Sequence, residues 1–179
     1  MPPAVLLRAT EERDIPAIAA IYEEAVLNGI ASYEIDPPGI VEMTRRWREL
    51  VSGNYPHLVA VRDAAVLGYA YAGPYRPRPA YRYSVEDSIY LDPAAQGGGI
   101  GRALLGELIR ICEEGGFRQM IAVIGGGTEH PASVGLHRAL GFREIGIIEA
   151  SGFKHGRWLD TMLMQRPLGA GRTSVPERP

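Results

Sequence analysis

A chain of 179 residues with 46% hydrophobic and 22% charged residues has the balance of a soluble globular domain with a real core. A net charge of -2 argues against a broad electrostatic surface for nucleic acid, and one cysteine, Cys112, excludes an intrachain disulfide or a cysteine-rich metal site. No apolar stretch approaches the roughly 18 residues of a membrane span, and MPPAVLLRATEERD has neither a basic start nor a cleavable apolar segment, so a cytoplasmic protein is the default expectation.

Reading forward, AVLLRA is a short first strand. Asp14 is placed to cap a helix with Ile18, Ile21, Tyr22 and Ala25 on one face. NGIASYEIDPPG is a loop, and IVEMTRRWRELV a second helix. HLVAVRD and AVLGYAYAG read as a hairpin turning near Asp63 and Ala64. The loop PYRPRPAYRY feeds a strand from about Ser84 to Leu91. A third helix then sets Ile100, Leu104, Leu105, Leu108, Ile109 and Cys112 on one face and stops at Gly115 and Gly116. RQMIAVIG has the length of a buried strand, PASVGLHRAL is a fourth helix, and FREIGIIEA and RWLDTMLMQR are two closing strands. Seven strands and four helices mixed in this order imply an α/β or α+β sheet with helices on its faces. Residues 1–168 are expected to form one domain, and the polar, Pro- and Gly-rich stretch 169–179 a disordered tail.

Between the strand ending at Leu91 and the third helix lies DPAAQGGGIGR, with Gly97, Gly98, Gly99 and Gly101 at the mouth of the helix. Glycine is costly to order, so a bare backbone there points to a ligand. Free N–H groups at a helix start and the helix dipole favour an anion. Two phosphate motifs fail on spacing. A dinucleotide fingerprint beginning at Gly97 or Gly99 meets Arg102 or Leu104 where glycine is required, and no G-K-[ST] tripeptide exists for a nucleoside-triphosphate loop. A ligand-free flexible turn is the remaining alternative.

Gln96-Gly97-Gly98-Gly99-Ile100-Gly101 fits Q/R-x-x-G-x-G/A, the pyrophosphate motif of the GNAT N-acetyltransferases. Downstream, His130, Ser133, His137, Gly141 and Phe142 keep the spacing of the family's Asn, small residue, Tyr and Gly-Phe frame, with two identities changed. AYRYSVEDSIYL, FRQMIAVIG, VGLHRALGF and GFKHGRWLD, in that order, resemble the phosphinothricin and methionine sulfone/sulfoximine acetyltransferase branch over roughly residues 5 to 168.

The resemblance implies a GNAT fold, a mixed, mostly antiparallel twisted sheet. It also implies transfer of an acetyl group from acetyl-CoA to the primary amine of a small amino acid or glutamate-like analogue. That amine is mostly ammonium at neutral pH and must lose a proton to attack. By resemblance Glu86 is the base; a solvated or salt-bridged carboxylate is the alternative. Ile89, Tyr90 and Leu91 would line the acetyl and pantetheine arm, with backbone N–H groups aimed at the thioester oxygen. Gln96, Gly97, Gly98, Gly99, Ile100, Gly101 and Arg102 would hold the pyrophosphate, with His130 and Ser133 on the CoA arm.

His137 stands where many relatives keep a tyrosine acid; a packed helix histidine with one hydrogen bond is the alternative. The acceptor pocket is expected around Tyr33, Arg76, Pro77, Arg78, Arg82, Glu86, Asp87 and Ser88, with the arginines suited to a carboxylate. His57 and His155 lack partners at metal spacing, so no metal site is expected. Nucleic acid and membrane partners are not expected, and a homodimer is expected by analogy. Alternatives are another acceptor, such as a polyamine or a protein N-terminus, or a non-catalytic acyl-CoA sensor.

Overall fold

A computed structural model describes residues 4–176. One seven-stranded sheet carries four helices. The strands are β1 (Leu6–Ala9), β2 (His57–Arg62), β3 (Ala65–Pro74), β4 (Ser84–Leu91), β5 (Gln119–Gly125), β6 (Arg143–Lys154) and β7 (Arg157–Pro167). The helices are α1 (Ile15–Asn28), α2 (Gly39–Ser52), α3 (Ile100–Glu114) and α4 (Pro131–Ala139). Strand order is β1-β2-β3-β4-β5-β7-β6, antiparallel except where β4 meets β5.

The alternation of side chains along each strand builds two cores. On one face Leu104, Leu105, Leu108 and Cys112 of α3 bury against Ala70, Ala72, Val85 and Met120, with Val134 of α4 joining them. On the other, Ile15, Ile18, Tyr22 and Val26 of α1 and Met43 of α2 cover Val59, Val61 and Tyr69. Cys112 is a core residue, its thiol pushed up to about 12 by burial. The hairpin at Asp63 and Ala64 is a two-residue turn with both residues left-handed, φ 48° and 66°, the geometry that matches strand twist.

Three expectations change. Asp14 does not cap α1. Its carboxylate accepts the Glu11 N–H at 2.8 Å and pairs with Arg8 at 2.6 and 2.8 Å, because a buried carboxylate gains more from a bidentate guanidinium than from a helix end. The strand expected to end near Ala150 continues to Lys154. Register irregularities at Glu144/Gly146 and Ile148/Gly152 let it do so, and Asp160 Oδ1 accepts the Ala150 N–H at 2.8 Å across the bulge. Part of the expected tail makes contacts. The Arg118 guanidinium donates to Ser174 Oγ at 3.1 Å and to the Val175 carbonyl at 3.3 Å. Residues 177–179 of that tail, and 1–3 of the expected domain, lie outside the described residues.

Candidate active site

The site arises where two strands part. β4 and β5 pair in parallel only from Ser84–Gln119 to Asp87–Ala122. Beyond that point β4 stays with β3 as far as Leu91, while β5 follows β7 to Gly125. The wedge between them is a cleft. Ser88, Ile89 and Tyr90 form one wall, Val123 and Ile124 the other, and α4 approaches with His137. The edge of β4 beyond Asp87 therefore has no strand partner on the β5 side, which leaves backbone groups for a ligand.

Below the wedge the glycine run enters α3. Gly97 and Gly99 sit at φ 77° and 78°, a left-handed conformation that glycine adopts without strain. A Cβ at either would meet nothing within 4 Å, so the space outside this backbone is open. No acidic residue lies in the first turn of α3 to offset the positive end of its dipole, and Arg102 is exposed there. These features fit a pyrophosphate. Gly101 does something else. A Cβ there would meet Leu91 at 3.4 Å and Leu136 at 3.5 Å, ordinary packing distances, so this position faces the core and not the open cradle. Ile100 and Gly101 are buried, and Gln96, Gly97, Gly98 and Gly99 are exposed.

Along β4 the side chains alternate. Val85, Ile89 and Leu91 pack on the α3–α4 core, whereas Tyr90 packs among Tyr22, Tyr69 and Tyr71 on the α1–α2 side. Glu86 and Ser88 share the Tyr90 face. Ser88 lies directly opposite Tyr71 of β3. Burial raises the Glu86 carboxyl above the usual carboxylate range; Arg76 opposes the shift and the neighbouring Asp87 adds to it. A carboxylate with a raised pKa is a better base than a free one.

Asp87 belongs to the opposite face, away from the acceptor-side residues with which it was grouped. It is 6% exposed, and its Oδ2 lies 2.9 Å from His137 Nε2. His137, 2% exposed, uses its other nitrogen on the Ser133 carbonyl at 2.7 Å, and its ring meets Phe142 edge-on. Both ring nitrogens are therefore engaged. The geometry is that of a packed helix histidine with two hydrogen bonds rather than one. This pair joins residues 50 apart in sequence. Strict alternation on β4 was the signal that would have separated Asp87 from Glu86; nothing local marked its partner. His130 lies on the same cleft, lowered in pKa by burial and by His137, with its Nδ1 buried and unpartnered. Ser133 also lines it.

Tyr33 is strapped down. Its hydroxyl donates to the Asp160 carbonyl at 2.8 Å and accepts from Thr161 Oγ1 at 3.0 Å and the Gly126 N–H at 3.3 Å. Lys154, buried in β6, donates to the Ser32 carbonyl at 2.7 Å, which fixes the same loop; the sequence offered no sign of this. The arginines separate. Arg76 lies over the Tyr75 ring at 4.4 Å and is close enough to act on Glu86 electrostatically. Arg82 lies over Tyr83 at 4.5 Å, and Pro77 and Arg78 are exposed in the loop between them.

The chain is similar to known proteins in sequence and in fold. A sequence model described as "Acetyltransferase (GNAT) family" matches residues 18–142. A phosphinothricin N-acetyltransferase of Alcaligenes faecalis is 51% identical over 174 residues, 97% of this chain and 88% of the relative. An L-methionine sulfoximine/L-methionine sulfone acetyltransferase of Pseudomonas paraeruginosa is 40% identical, covering 90% and 93%. The crystal structure of a GNAT superfamily phosphinothricin acetyltransferase from Sinorhizobium meliloti, solved in complex with AcCoA, superposes with a TM-score of 0.94 at 54% identity, covering 97% and 94% of the two chains. With a family match across most of its length and relatives this similar end to end, the chain belongs to the acetyltransferase (GNAT) family.

Proposed function

We propose that this protein transfers the acetyl group of acetyl-CoA to the α-amine of a small amino acid or glutamate-like analogue, of the phosphinothricin, methionine sulfone or methionine sulfoximine type. The observation that carries the reading is the wedge between β4 and β5, with Glu86 on β4 just before the strands part and an open glycine-lined helix mouth at its base. The 51% identical relative named for phosphinothricin supports the acceptor class.

In this mechanism the glycine run and the start of α3 bind the pyrophosphate through backbone N–H groups. The unpaired edge of β4 from Ser88 to Leu91 holds the pantetheine arm and aims N–H groups at the thioester oxygen. Glu86 takes a proton from the ammonium. The free amine attacks the carbonyl carbon, the N–C bond forms, and the C–S bond breaks with its electron pair left on sulfur. A free thiol has a pKa of about 8.5, so sulfur leaves without a strong acid beside it. Arg76, close to Glu86, offers a guanidinium to the acceptor's carboxylate. Tyr33 supplies a fixed aromatic wall, its hydroxyl already used.

The same reading assigns residues 1–168 to one catalytic domain in a cytoplasmic homodimer. Ile147, Ile148, Phe153 and Trp158 are large and exposed on the edge hairpin β6–β7, Trp158 at 64%. That apolar surface suits a second copy of the chain.

A panel of amines mixed with acetyl-CoA, read by release of free thiol, tests the activity. Thiol release with methionine sulfone, methionine sulfoximine or phosphinothricin is expected. Binding of acetyl-CoA without thiol release from any amine would make the protein a sensor instead, and equal turnover of amines lacking a carboxylate would remove the amino-acid assignment.

A further inference from the structure

The two adjacent carboxylates of β4 face opposite sides of the sheet. Glu86 faces the side from which the acceptor is proposed to approach. Asp87 faces the side of α3 and α4, where the glycine mouth lies. Successive strand residues rise about 3.3 Å, so Asp87 sits at the same level as the base, across the sheet from it. It is also the last residue of β4 paired to β5 before the wedge opens.

Asp87 carries a buried oxygen with nothing to hold. Oδ2 is hydrogen-bonded to His137 Nε2, whereas Oδ1 is buried with no hydrogen-bond partner, and the residue lines the cleft. The state of the pair follows from its surroundings. The Ser133 carbonyl can only accept, so His137 Nδ1 must carry a proton. Burial lowers the His137 pKa, but the Asp87 hydrogen bond and charge and the Ser133 carbonyl outweigh it and raise the value overall. The two groups therefore share a proton across the 2.9 Å contact, and Asp87 favours the charged form of His137. The other titratable groups near it are the Cys112 thiol of α3, His130 before α4, and Glu86 itself. None donates a hydrogen bond to Oδ1.

An unpartnered buried acceptor is expensive, and a charged one more so. We infer that Asp87 is a donor-binding residue, whose free oxygen accepts the amide N–H of the pantetheine arm nearest the sulfur. The chemistry of the arm selects that group. A thioester offers no donor at its acetyl, carbonyl or sulfur atoms, and the first N–H lies two carbons beyond sulfur. His137 holds the carboxyl group oriented, so that one oxygen is fixed for α4 and the other is left for the ligand. The buried pair thereby sets the depth at which the thioester stops beside Glu86. This inference rests on the reading of the cleft as the acetyl-CoA site.

The test compares acetyl-CoA with an analogue in which the amide nearest sulfur is an ester, so that the N–H alone is lost as a donor. Binding to each is measured by calorimetry for the wild type and Asp87→Ala. A hydrogen bond to a charged group is worth about a 10–100-fold preference for the amide in the wild type. The preference should collapse to within about threefold in Asp87→Ala, if nearly all of that charge-assisted bond is lost. Asp87→Leu/His137→Leu removes the buried pair as a unit, which is often tolerated, and is read the same way if the single variant fails to fold. Equal binding of amide and ester by the wild type, or an undiminished preference in the variants, would overturn the inference while leaving the enzyme assignment intact. Failure of the wild type to bind acetyl-CoA at all would overturn both.

Discussion

Replacing Glu86 by Gln keeps the shape of the side chain and removes its ability to take a proton. The structure gives the base two properties. Burial raises its pKa, which increases its pull on the ammonium proton, and Arg76 opposes that rise. Positioned proton transfer supplies about 10²–10⁴-fold in rate, so turnover of Glu86→Gln at pH 7 should fall by that factor. Binding of acetyl-CoA should hardly change, because Glu86 lies on the opposite face of β4 from α3. The pH dependence carries the sharper test. Wild-type turnover should rise as pH passes the raised Glu86 pKa and then level off. The variant can use only amine that is already free, so its rate should climb about tenfold per pH unit until the acceptor's own α-amine pKa, which lies below the roughly 10 of an alkylamine. The deficit therefore narrows steadily toward that pH. Thiol release at saturating acetyl-CoA, from pH 6 to 10, measures it. Near wild-type turnover at pH 7 would remove Glu86 from the chemistry, and a large deficit constant with pH would make it a positioning group.

Three further outcomes follow from particular residues. Gly99→Val forces a β-branched residue to φ 78° and places a side chain in the open cradle; acetyl-CoA should no longer raise its Tm, whereas Gly98→Ala, with no positive φ, should keep the shift. A retained shift in Gly99→Val would move the pyrophosphate elsewhere. Arg76→Ala should raise KM for carboxylate-bearing acceptors more than Arg82→Ala does, since only Arg76 acts on Glu86, and the reverse order would assign the acceptor carboxylate to Arg82. Burial pushes His57 down to about 4, only partly offset by Asp14, so the folded state holds it neutral while the unfolded chain protonates near 6.5. Its contribution is fully present above about pH 6.5 and is lost as pH falls toward 4, about 2 kcal/mol by pH 5. His137, raised instead, acts in the opposite sense, losing its contribution as pH rises through its folded value. Urea unfolding at pH 7 and pH 5 should show a drop smaller by that amount in His57→Phe; an equal drop would place the acid sensitivity in another group.

Local pattern was enough for the elements and for the glycine turn that opens α3. The apolar spacing from Ile100 to Cys112 and the alternation in Ser84–Leu91 are written in residues a few positions apart, and the structure keeps both. The glycine mouth was equally legible, because a left-handed turn leading into a helix is a local event. The resemblance added Glu86, which spacing alone could not have distinguished from a solvated carboxylate.

What only the tertiary structure decided depends on which distant strand lies beside which. Parallel pairing of β4 with β5 stops after four residue pairs, while β4 stays with β3 to Leu91 and β5 stays with β7, a strand more than thirty residues further along the chain. No local signal encodes that departure, yet it opens the cleft. In the same way, Asp87 meets His137 and Lys154 meets Ser32 through the folding of α4 and β6 onto the sheet. The sequence by itself determined the strand that carries two carboxylates and the helix mouth that can hold an anion. Only the packing determined that those carboxylates part to opposite faces with different partners, since desolvation and charge pairing belong to the assembled core and not to the chain's local pattern.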